Sequence, residues 1–169
     1  MSNTQSVSAT ASTQRAIVEA GDASVIVRVE TAASLERTFH ALASRNVVDW
    51  WVRPGVFNTT EWTGDVRVGG HWRAGGLFRG EPYAVEGEFL EVDPPRRLAH
   101  TWRASGAPGA PTTVEYTLEK VGGTTHVTLH HSGFASREAC ANFGVGWQTS
   151  LDRLAEVLGS DRHPPEPRS

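Results

Sequence analysis

The chain holds one cysteine and one methionine among 169 residues, and Lys120 is its only lysine. A single thiol, Cys140, excludes an internal disulfide and leaves no pair for a redox or zinc motif. No apolar run approaches the roughly 18–20 residues of a membrane-spanning helix. No basic excess exists either: the formal charge is −3 and the sequence pI is 6.2. Neutralising many phosphates takes a basic patch, so no nucleic-acid partner is expected. The N-terminus lacks a basic start followed by an apolar stretch, so no secretory signal is expected and the cytoplasm is the default location. Arginine in place of lysine, with 17 glycines, reads as a GC-rich coding sequence and hence a high-GC bacterium.

What is present is enough for one domain, and at this length a core needs no disulfide or metal to hold it. Residues 1–21 are rich in Ser, Thr, Ala and Gln without apolar period, and 159–169 are polar and proline-rich. Both are expected to be disordered tails around a folded body at 22–158. Val25, Val27 and Val29 alternate with Ile26, Arg28 and Glu30, a strand period. Ser34 then caps a helix carrying Leu35, Phe39 and Leu42, and a short apolar segment at 47–51 follows.

From residue 61 the chain reads as successive strands. Val66 and Val68 are expected in one that turns at Gly69-Gly70, and residues 71–78 in the next. Val85, Gly87 and Phe89 share a face, Pro94-Pro95 ends that strand, and Leu98, His100 and Trp102 share a face of the next. Val114, Tyr116 and Leu118, then Val127, Leu129 and His131, complete the period-two series. Phe143, Trp147, Leu151, Leu154 and Leu158 recur at intervals of four, four, three and four, one face of a helix expected from about residue 136 to 158 and roughly 34 Å long. The order is a strand, two short helices, about six antiparallel strands and one long helix. Only that helix can cover the apolar face of the sheet, and a strongly curved sheet around one helix commonly leaves a space between them.

Several motifs carry a resemblance. They are Trp50-Trp51, the segments 65–72 (DVRVGGHW) and 87–98 (GEFLEVDPPRRL), Thr101-Trp102, 113–118 (TVEYTL), 131–134 (HSGF) and Gly146-Trp147. In that order they resemble the START-like, or SRPBCC, superfamily, in its bacterial branch similar to the C-terminal domain of the heat-shock ATPase activator. The resemblance spans about residues 23–158. It implies an α+β helix-grip fold: a curved antiparallel sheet wrapped around a long C-terminal helix, with two short helices after the first strand and a ligand cavity between sheet and helix. It carries over no universal catalytic motif.

Candidate chemistry narrows quickly. His126 and His130 share a strand face but lie roughly 13 Å apart, too far for one zinc. No metal and no cofactor is expected. Gly69-Gly70 and Gly75-Gly76 lack the strand–GxGxxG–helix context of a phosphate cradle and serve turns and bends. Cys140 lies near a helix start, where a thiol can be activated, but a lone cysteine reads as inert core, and no G-x-S-x-G occurs. Glu86 and Glu88 fall on the solvent parity of their strand.

The informative residues are polar groups on apolar faces. His100, Tyr116 and His131 are expected to offer polar tips in a cavity walled by Val85, Phe89, Trp102, Val114, Leu129 and Trp147, with Trp50, Trp51 and Trp62 around its mouth. Gly87 is expected to border the cavity, so that Gly87→Leu would fill it. The expected partner is a hydrophobic or aromatic small molecule, lipid- or polyketide-like. The rival readings are a cyclase or hydrolase-like enzyme using the cavity histidines, a self-resistance protein sequestering a toxic metabolite, and a chaperone-interacting module.

Overall fold

The computed structural model describes residues 17–20 and 24–161, with side chains over 24–159. Eight strands alternate with three helices: β1 (Ile17–Ala20), β2 (Ser24–Thr31), α1 (Leu35–Leu42), α2 (Val47–Trp50), β3 (Phe57–Gly64), β4 (His71–Phe78), β5 (Glu81–Asp93), β6 (Arg97–Ala104), β7 (Thr112–Val121), β8 (Thr124–Ser132) and α3 (Arg137–Asp161). The strands form one sheet in the order β1-β2-β8-β7-β6-β5-β4-β3. Every neighbouring pair is antiparallel. The sheet curls as a half-barrel around α3, giving the expected α+β helix-grip architecture.

The curl has local causes. Register shifts between Thr59 and Glu61 and between Phe89 and Glu91 are bulges, which bend a strand and strengthen its twist. Beside the first bulge the strands approach so closely that a Cβ at Gly76 would collide with the Asn58 carbonyl. Gly87 has the same role on β5, where a Cβ would meet the Thr101 carbonyl oxygen and Trp72 Nε1. Gly87→Leu would therefore force strands apart instead of filling a cavity, which corrects the expectation for that position.

Burial follows the predicted parity. Val25, Val27 and Val29 on β2, Val114, Tyr116 and Leu118 on β7, and Val127 and Leu129 on β8 are all buried. The Ser34 side chain accepts from the Arg37 amide at 3.1 Å, capping α1 as expected. Along α3, Cys140, Trp147, Leu151, Leu154 and Leu158 face the core, and the Cys140 thiol donates to the Ser24 carbonyl at 3.0 Å.

Three boundaries differ from the sequence reading. Val66 and Val68 lie in a turn, not a strand: Val68 is 63% exposed, and the Gly70 amide bonds the Arg67 carbonyl at 2.8 Å. The strand is β3, a half-exposed edge strand whose alternation is masked by Asn58, Thr60 and Glu61. Ile17–Ala20 pairs with β2 inside the stretch expected to be a tail, so the two short helices follow the second strand. At the other end α3 runs on to Asp161. The remainder of both expected tails lies outside the described residues. Among the described residues no helix is long and apolar enough to cross a membrane, and no group of three or more metal-ligating side chains gathers.

Candidate ligand cavity

Between the inner face of the sheet, α2 and α3 lies a cavity of about 20 Å³. That is room for about one water molecule. All six tryptophans of the chain line it: Trp50, Trp51, Trp62, Trp72, Trp102 and Trp147. Phe89, Tyr116, His100, Leu42 and Val47 complete the wall, so no carboxylate, lysine or arginine contributes to it. An apolar wall with a few polar atoms is the usual composition of a small-molecule site.

Three of the six indole N–H groups are spent on the scaffold. Trp50 Nε1 donates to the Ala41 carbonyl at 2.8 Å, tying α2 to α1. Trp72 Nε1 donates to the Thr101 carbonyl at 3.1 Å, through the gap that Gly87 leaves. Trp147 Nε1 donates to His131 Nδ1 at 2.9 Å. Because that nitrogen accepts, the proton of a neutral His131 sits on Nε2, which lies 2.7 Å from Thr112 Oγ1. The Thr112 hydroxyl in turn donates to the Trp102 carbonyl at 3.0 Å. The chain of donors is thus fixed in direction from Trp147 to the backbone of β6. Burial, with smaller repulsion from His100 and His130, holds the His131 pKa down to about 3, so the ring stays neutral.

His100 is set differently. Its Nδ1 lies 2.9 Å from the Thr101 carbonyl, which can only accept, so Nδ1 carries the proton. Nε2 is left as a lone-pair acceptor in the cavity wall. Burial pulls the pKa of His100 down to about 4, opposed weakly by the bond to Thr101. Tyr116 is 3% exposed, and burial raises its pKa well above the usual phenol range. Among the described residues no side chain or carbonyl is bonded to its hydroxyl. Trp102 Nε1 is buried and has no partner at all. A buried donor left unpaired costs about 1–3 kcal/mol. Three residues of the cavity wall, His100, Tyr116 and Trp102, thus each keep a polar atom unused by the fold.

Of the residues expected at the site, the structure brings His100, Tyr116, Trp102, Phe89, Trp147, Trp50, Trp51 and Trp62 to the wall. Trp50 is not at a mouth but 2% exposed inside the core, whereas Trp51 is half-buried. Val85, Val114 and Leu129 are buried in the core without reaching the cavity. His131 lies behind Trp147, with both ring nitrogens engaged, so it fixes a wall residue and offers the cavity no polar tip. Leu42, Val47 and Trp72 are added to the expected set. Trp72 was legible in principle: it shares strand parity with buried Ala74 and faces Gly87 across the ladder.

A family model described as activator of Hsp90 ATPase homolog 1-like protein matches residues 32–159, most of the folded body. The chain belongs to that family. Solved structures agree on the fold of this family member. A protein of Rhodobacter sphaeroides shares 22% identity at a TM-score of 0.73, over 86% of this chain and 99% of its own. CalU16 from Micromonospora echinospora shares 27% identity at a TM-score of 0.64, over 86% of this chain and 87% of its own. A protein of Chromobacterium violaceum shares 26% identity at a TM-score of 0.67, over 82% and 98%. Among curated protein sequences there is no match.

Proposed function

We propose that this family member binds an uncharged hydrophobic or aromatic small molecule, of lipid-like or polyketide-like character, between the sheet and the C-terminal helix. One observation carries the reading: every tryptophan of the chain lines one charge-free cavity, whose wall residues His100, Tyr116 and Trp102 each keep a polar atom the fold does not use. Affinity would come from apolar burial, about 25 cal/mol per Å², and orientation from the polar atoms.

The rival reading, an enzyme moving protons through the cavity histidines, fits less well. A general base works best with a pKa near the working pH. His100 is held near 4 and His131 near 3, and His131 is not in the wall. Both are suited to accepting or donating fixed hydrogen bonds. Sequestration of a harmful metabolite would use the same cavity in the same way, and differs from transport only in the identity of the molecule.

Native mass spectrometry of the full chain, freshly purified from a bacterial host and then incubated with an organic extract of bacterial cells, tests the reading. The expected spectrum shows one small molecule per chain, lost on collisional activation and neutral and apolar when identified. A spectrum holding only the unliganded mass, before and after incubation, would contradict it.

A further inference from the structure

The cavity is too small for any metabolite as it stands, and the geometry identifies which wall gives way. The indole of Trp51 lies parallel to that of Trp147, at 4° and 6.0 Å between centroids. Around it stand Phe57 at 80°, Trp102 at 61° and Trp72 at 54°, each with its ring centre 6.3–6.5 Å away. A parallel floor with steeply inclined walls combines the stacked and edge-to-face arrangements that aromatic rings prefer.

The backbone under this ring is fixed. The Trp51 amide bonds the Val47 carbonyl at 2.9 Å, and its own carbonyl accepts from Thr59 Oγ1 at 2.7 Å. Two residues earlier, the Asp49 carbonyl accepts from Arg153 Nε of α3 at 2.8 Å. The side chain has no such tie: Trp51 is half-buried, and among the described residues nothing is hydrogen-bonded to its indole N–H. Rotation about its side-chain bonds would free the slot without breaking any of these backbone bonds.

The unused polar atoms of the wall residues His100, Tyr116 and Trp102 are complementary to one chemical group. His100 Nε2 can only accept, Trp102 Nε1 can only donate, and the Tyr116 hydroxyl can do either. A hydroxyl both donates and accepts. A ketone or an ether would leave His100 unpaired.

We propose that Trp51 is a displaceable plug, and that the ligand is an uncharged planar aromatic of about two fused rings bearing a hydroxyl, its rings taking the place of Trp51 on Trp147 and its hydroxyl bonding His100 and Tyr116. This rests on the reading of the cavity as a ligand site and narrows it to a chemical class.

Calorimetric titration of the full chain with 1-naphthol, 1-methoxynaphthalene and 1-decanol tests it. Trp51→Ala is expected to bind one 1-naphthol at least tenfold more tightly than the natural chain, since no plug must be displaced. 1-Methoxynaphthalene and 1-decanol are expected to bind at least tenfold more weakly than 1-naphthol, the first lacking the donor and the second the ring. His100→Phe is expected to erase the preference for naphthol over its methyl ether. Trp51→Leu keeps an apolar cover over the core, and is expected to give an intermediate gain if the alanine variant loses its cooperative thermal transition. Equal or weaker naphthol binding by the Trp51 variants, or no preference among the three probes, overturns the inference. Tight binding of 1-decanol or of the methyl ether would do so while leaving the broader hydrophobic-ligand reading intact. If no probe binds, the inference fails, and the mass-spectrometric experiment decides the broader reading separately.

Discussion

Truncating Trp147 to alanine is expected to cost about 3–5 kcal/mol of folding stability, the range for emptying a large aromatic site in a core. The ring is 4% exposed and touches the two halves of the structure at once: it stacks on Trp51, meets Tyr116 edge-on and bonds His131. Its loss also strands His131 Nδ1 without a donor in a buried place. Trp147→Phe separates these effects, since it keeps most of the packing and loses the hydrogen bond; about 1–3 kcal/mol is expected for the unpaired acceptor. Urea denaturation of both variants checks this. A loss below about 1 kcal/mol for the alanine variant would mean that Trp147 does not join helix to sheet.

Acid should weaken the fold well above the pH at which carboxylates protonate. His100 and His131 fall from an ordinary value of 6.5 to about 4 and about 3 in the folded chain, chiefly through burial. Between those values the unfolded chain binds protons that the folded chain refuses, so stability rises with pH there. The contribution of each histidine is whole above pH 6.5 and is lost as the pH falls, down to about 4 for His100 and about 3 for His131. Where both titrate only in the unfolded chain, the slope approaches about 2.7 kcal/mol per pH unit. Glu91, held below its usual range by the hydrogen bond from Arg97, acts with the same sign but only at lower pH. Unfolding free energies at pH 7, 6 and 5 are expected to show the decline, and His100→Phe to halve it. A flat profile from 6.5 to 5 would mean that the two rings reach solvent or charge within the fold.

The parts of the site carried by strand parity and helix period were legible from the sequence. Tyr116 sits between Val114 and Leu118, and His100 between Leu98 and Trp102, so their inward direction follows from alternation alone. Trp147 follows from the stripe of the last helix. His131 obeyed the same rule, being buried beside Leu129, yet parity says only which face a residue takes. Whether the helix or the cavity lies above that point on the face depends on where α3 crosses, and the sequence does not state it. β3 escaped for a related reason: an edge strand with one wet side and a bulge at Thr60 has no clean alternation to read. Gly87 looked like cavity wall and is instead a point where two strands and the Trp72 ring converge. The plug formed by Trp51 is a matter of side-chain packing among four other rings, which no pattern in one dimension encodes.

The central claim, that the tryptophan-lined cavity is the binding site, is tested most directly by the six indole N–H signals of the ¹⁵N-labelled full chain, recorded during titration with 1-naphthol. The signals of Trp51, Trp102 and Trp147 are expected to shift most, as the guest's rings replace that of Trp51 against the other two. Indole signals that stay in place, while backbone amides at exposed apolar residues such as Leu77 and Phe78 shift instead, would contradict the claim and put the binding surface on the outside of the sheet.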